Sequence, residues 1–107
     1  MNVKNISDAT EWFQVLQTTA RSQTAMMSLE PGAATGENEA HEKSDQVLLV
    51  LEGELIGEVG EQRPRLSKGD VVVIEAGTKH RFANASDKVA VTFNVYSPPA
   101  YPPETKG

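Results

Sequence analysis

The chain has 107 residues, 15 acidic against 10 basic side chains, a net charge of −5 and no cysteine. That size fits one domain with a thin core. Lack of cysteine excludes disulfides, thiolate metal sites and a cysteine nucleophile, and the acidic balance supplies no basic stripe for a nucleic-acid backbone. "MNVKNISDATEWF" lacks a charged-then-apolar leader, and the longest apolar run, "VLLVL", is too short to span a bilayer. A cytoplasmic protein with neither a nucleic-acid nor a membrane partner is expected.

Residues 1–11 are polar, and Asp8 with Glu11 is placed to cap one short helical turn. "WFQVLQTT" fits either a helical face or an edge strand. "SQTAMMSL", Ser22 to Leu29, reads as a strand closed by the turn "EPG"; "AATGENEA" reads as a loop. "QVLLVLEGELIGEV" gives a strand on each side of Gly53, and "GEQ" reads as a hairpin turn. "PRLS" suits a short edge strand that tolerates Pro64. "VVVI", "HRFANAS" and "VAVTFNVY" complete the set, and "SPPAYPPETKG" is a proline-rich tail expected to be extended and partly disordered. Eight to nine short, regularly spaced strands predict an all-β barrel or sandwich. "VLLVL" is apolar on both pleat faces. One face is therefore expected inside the barrel and the other against a second chain or the N-terminal segment.

The chain has only two histidines, His41 and His80. Glu39 and His41 share a strand face by alternation. If Glu42 to Asp45 form a four-residue hairpin loop, His41 and Gln46 become a cross-strand pair on that face. Glu39 also sits in an acidic stretch with Glu37 and Glu42, where a carboxylate is as often surface charge. Gly53, Gly69 and Gly77 suit turns that require positive φ. On the last strand Thr92, Asn94 and Tyr96 share one face and Val89, Val91, Phe93 and Val95 the other. No Gly-x-Ser-x-Gly elbow or dinucleotide fingerprint occurs.

Gly69, Glu75, Gly77, His80 and Asn84, spaced G-x5-E-x-G-x2-H-x3-N, resemble the second motif of the cupins, with Glu75 where proline is usual. Glu39, His41, Gln46 and Gly53 resemble the first motif, with Glu39 at the first histidine position and Gln46 at the glutamate position. The chain thus resembles the small single-domain bacterial cupins (the cupin type-2 conserved barrel) with a Glu-x-His-x4-Gln first motif. The resemblance implies a double-stranded β-helix, or jelly-roll barrel, with a core over about 20–97 of a single domain and a largely β "WFQVLQTT". It also implies a divalent metal ion (Fe, Mn, Ni or Zn) held by Glu39, His41, Gln46 and His80. If Glu39 is not a ligand, it suits a general base.

The expected function is that of a metal-binding protein acting on a polar, oxygen-rich small molecule such as a sugar or sugar acid, by isomerase, lyase or dioxygenase chemistry. Phe82, Asn94 and Tyr96 are candidate substrate contacts. Non-catalytic sugar binding, or a degenerate site without metal, is the alternative, since fold does not fix function. A homodimer is expected from the two-sided "VLLVL" together with the polar-poor "WFQVL", an N-terminal strand suited to pair with the partner's sheet edge.

Overall fold

The computed structural model describes residues 1–36 and 40–107. A single turn of 3-10 helix, Ile6–Asp8, comes first. Its N-cap is Asn5, whose side chain accepts from Ser7 while Asp8 accepts from the Asn5 N–H. The expected box of Asp8 with Glu11 is thus displaced by one turn: Asp8 closes the box begun by Asn5, and the Glu11 N–H donates to Gln14. Strands follow as β1 (Phe13–Thr18), β2 (Gln23–Leu29), β3 (Asp45–Glu52), β4 (Glu54–Val59), β5 (Arg65–Ser67), β6 (Val71–Ile74), β7 (His80–Ala83) and β8 (Ala90–Ser97).

They form two antiparallel sheets, a five-stranded one ordered β1-β2-β8-β3-β6 and a three-stranded one ordered β5-β4-β7. Alternation within β3 and β8 decides what lies between them. Gln46, Leu48 and Val50 of β3 are buried, as are Thr92, Asn94 and Tyr96 of β8. Leu48 and Val50 pack with Leu55, Leu66, Ile74 and Phe82 into one core, whose apolar burial drives folding. Near Tyr96 the inward positions turn polar, and there the interior opens.

Gly53 links β3 to β4 at φ 78°, and a Cβ on it would lie 2.5 Å from the Val89 carbonyl oxygen. Only glycine permits that approach.

The outer face of the five-stranded sheet carries the second apolar set of "VLLVL". Val47 pairs with Val73 and Val95, and Leu49 with Val71 and Phe93. Val71 and Val73 are 61% and 60% exposed.

The segment after Gly32 runs as a loop beside β7: Gly32 donates to Asn84, Asn84 to Ala33, and Thr35 to Phe82. One expectation is corrected. The proline-rich tail folds back rather than trailing away. Val15 donates to Thr105, Gly107 to Phe13, and Lys106 bridges Gln14, so the tail continues the five-stranded sheet past β1. Buried Gln23 clamps it: its amide nitrogen donates to Thr18 and the Tyr101 carbonyl, and its oxygen accepts from Ala100 and Tyr101.

Candidate functional site

A cavity of about 170 Å³ opens between the sheets. Five of the chain's six aromatic side chains line it, namely Trp12, Phe13, Phe82, Tyr96 and Tyr101, together with His41, His80 and Gln46. Only Phe93, on the outer sheet face, is absent.

Each polar member arrives by a different local device. Gln46 is the second residue of β3 and lies opposite Tyr96, so both point inward. His80 opens β7, and its Nδ1 lies 3.0 Å from the Thr78 carbonyl oxygen. A carbonyl only accepts, so Nδ1 carries a proton, and in the neutral ring Nε2 is the nitrogen with the lone pair. His41 precedes a tight turn closed by the Ser44 N–H on the His41 carbonyl. The expected hairpin is thus corrected: Asp45 already belongs to β3, His41 lies in no strand, and His41 and Gln46 are not a cross-strand pair. They converge all the same. The Gly77 N–H donates to the His41 carbonyl at 2.8 Å, and Ala76 donates to the Asp45 carboxylate at 2.9 Å, fastening this turn to the loop before His80.

The imidazole centroids of His41 and His80 are 5.2 Å apart. Tyr96 and Tyr101 stand edge-on to His41 at 5.2 and 5.4 Å. The pKa of His41 lies below the ordinary value for histidine, first because burial disfavours the imidazolium and second because His80 is close. His41 therefore meets the cavity as a neutral base.

Whether a divalent ion fits can be judged from the donors. Histidines at this separation can reach one ion through bonds of about 2.0–2.1 Å. His80 has its other nitrogen held, as ligating histidines do. The Gln46 Oε1 atom is buried with no hydrogen-bond partner, a cost that an ion or a ligand donor would relieve. The donors fit as a partial, mixed nitrogen and oxygen set. Among the described residues no three His, Cys, Asp or Glu side chains come together. Glu39, the carboxylate expected to complete the set, lies outside the described residues.

Phe82 and Tyr96 line the cavity. Asn94 does not. It sits behind Gln46, accepting from the Gln46 amide and donating to Thr92, both at 3.0 Å, so its polar atoms serve a neighbour rather than a ligand. Asn84 is structural, donating to the carbonyls of Leu29 and Lys88. Sequence reasoning missed Trp12, Phe13 and Tyr101. The signal was there in aromatics concentrated in the two flanking segments of a chain otherwise poor in them.

The Cupin domain family profile matches residues 25–96. A curated relative, "Uncharacterized protein L612" of Acanthamoeba polyphaga mimivirus, is 31% identical over 94 residues, which are 84% of this chain and 58% of that one. The chain therefore spans little more than half of that relative. Among solved structures, BH2720 of Bacillus halodurans superposes with a TM-score of 0.87 at 27% identity, over 96% of this chain and 85% of that one. A cupin-superfamily sugar phosphate isomerase of Silicibacter pomeroyi gives a TM-score of 0.67 at 26% identity, over 74% of this chain and 52% of that one.

Proposed function

The chain belongs to the cupin domain family, and from that premise we propose that it is a cytoplasmic metal-dependent enzyme acting on a small, oxygen-rich, unphosphorylated molecule of sugar or sugar-acid type. The observation that carries this reading is the convergence of His41, His80 and the unpartnered Gln46 oxygen in an aromatic-walled cavity. A divalent ion held by those three, with Glu39 of the variant first motif as the carboxylate ligand or as a separate general base, would act as a Lewis acid on a carbonyl or hydroxyl oxygen. The aromatic walls orient the ligand by covering the apolar face of a ring, and they exclude water from the reacting oxygens. The neutral imidazole of His41 remains available as a ligand without first losing a proton.

Among the described residues no lysine or arginine lines the cavity. A phosphate would find no side-chain cation there, which separates this site from the reaction named for the Silicibacter pomeroyi protein. Isomerase, lyase and dioxygenase chemistry all need an oxygen-chelating substrate, and two tyrosines reaching the cavity favour turnover over simple binding.

Elemental analysis of protein purified without an affinity tag is the direct test, with about one Fe, Mn, Ni or Zn per chain expected. Metal-free protein that resists loading at millimolar ion, yet is stabilised by neutral sugars, would replace this reading with non-catalytic binding. Glu39→Gln separates the two roles of that residue: lost metal marks a ligand, and lost turnover with metal retained marks a base.

The same reading includes a homodimer. Of the two covers anticipated for the outer apolar face, the N-terminal segment reaches only its β1 edge, where the Gln17 side-chain amide donates to the Asn2 carbonyl. Val71 and Val73 at the opposite edge stay exposed. A second copy laid face to face would cover them.

A further inference from the structure

We infer that Thr92 and Asn94 form a one-way hydrogen-bond relay that locks the Gln46 amide with its oxygen toward the cavity. Three bonds make the relay. The Gln46 Nε2 donates to Asn94 Oδ1 at 3.0 Å, the Asn94 Nδ2 donates to Thr92 Oγ1 at 3.0 Å, and the Thr92 hydroxyl donates to the Met27 carbonyl oxygen at 3.1 Å. The order is forced from its far end. A backbone carbonyl can only accept, so the single hydroxyl proton of Thr92 goes to Met27. The Thr92 oxygen can then only accept from Asn94, which must present its NH₂ there and its oxygen to Gln46. Gln46 must answer with its own NH₂.

Its oxygen is left over. That atom is buried and unpartnered while Gln46 itself lines the cavity. Water cannot reach in to scramble the chain: Thr92, Asn94 and Gln46 are 1%, 0% and 3% exposed. An amide turned the other way would put an NH₂ where that oxygen stands, a donor that repels a cation. Glutamine ordinarily offers either end. Here the fold selects one, so a neutral side chain serves as a committed oxygen donor. Thr92 and Asn94 are positioning residues, because neither lines the cavity.

The affinity test rests on the proposed metal reading; a second measurement does not. Mn²⁺ or Co²⁺ binding to metal-free protein is followed by titration calorimetry, with unfolding temperature recorded alongside. Thr92→Val keeps the shape and removes the hydroxyl, and it should weaken binding by about 10- to 100-fold, the usual effect of losing an outer-shell partner. Thr92→Ser should restore it to within about threefold of that wild-type value. In a Gln46→Glu background the valine substitution should cost less than about threefold, because a carboxylate has no donor end to misplace. Unchanged affinity in Thr92→Val, or an equal loss in both backgrounds, overturns the inference. Independently, NMR of the metal-free wild type should show slowly exchanging Gln46 amide protons with contacts to the Asn94 amide. Contacts from those protons to the His41 or His80 rings would overturn it too. If no ion binds the wild type, the metal reading falls, and the NMR result alone decides the relay.

Discussion

The Gly77 N–H donates to the His41 carbonyl across 2.8 Å, so the turn carrying one histidine is fastened to the loop delivering the other. The two imidazoles are brought together by backbone, not by their own side chains. Removing either ring should therefore leave the other in place. His41→Ala and His80→Ala are each expected to lower metal affinity at least about 100-fold while the barrel stays folded. His80 is 4% exposed, so its loss should also cost stability, about 2 kcal/mol, and the half-buried His41 less. Metal content by elemental analysis and chemical denaturation check both halves.

Burial and His80 both lower the pKa of His41, which sets a sign for stability against pH. The unfolded chain takes up the His41 proton near pH 6.5, and the folded chain only at lower pH. Between those points the unfolded state binds more protons. Stability of the metal-free protein should therefore be fully present above about pH 6.5 and fall as pH drops through the folded-state value. In His41→Gln that part of the slope should vanish. Urea denaturation of both proteins between about pH 7.5 and 5 measures the difference.

Gln23 holds the tail by bonds to the Tyr101 carbonyl and from the Ala100 and Tyr101 N–H groups. Gln23→Ala should loosen the tail around Ala100 and Tyr101 while Thr105 and Gly107 stay bonded to β1, cost about 1–3 kcal/mol for the buried groups left unbonded, and make that part of the tail the first site of limited proteolysis. Tyr101→Ala should weaken a sugar-like ligand while leaving ion affinity within about threefold, since Tyr101 forms wall rather than ligand set.

Val73 is exposed at a sheet edge, so Val73→Glu should cost a monomer no more than about 0.5 kcal/mol. It should nevertheless convert a dimer at micromolar concentration to monomer by light scattering. A wild-type monomer would remove the second copy from the outer face.

Gly53→Ala should destabilise by at least about 2 kcal/mol, the left-handed backbone cost with a carbonyl clash added.

The strands were legible because their signals are local: alternation in "AVTFNVYS", and turn residues at Gly53 and Gly60. The histidines were legible as a pair through their motif spacing. What escaped depends on partners distant in sequence. Asn94 looks like any inward polar residue until its bonds to Gln46 and Thr92 are seen. Nothing local in "SPPAYPPETKG" says that it will be caught by Gln23, some 78 positions away. The turn at Glu42–Lys43 misled because a four-residue polar run fits a hairpin as well as a tight turn, and only the bond to Gly77 distinguishes them.

Tyr101, Thr105 and Gly107 give the cavity a wall drawn from the tail that follows the last strand. Most barrel proteins that reshape a pocket must alter residues whose opposite neighbours hold the core, and so trade fit against folding. Here drift in a ten-residue appendage can change what the cavity admits while Leu48, Leu55 and Phe82 stay untouched. Part of the cavity wall is thus written on a stretch of chain that supplies none of the buried core strands, while Phe13, Phe82 and Tyr96 serve wall and core together.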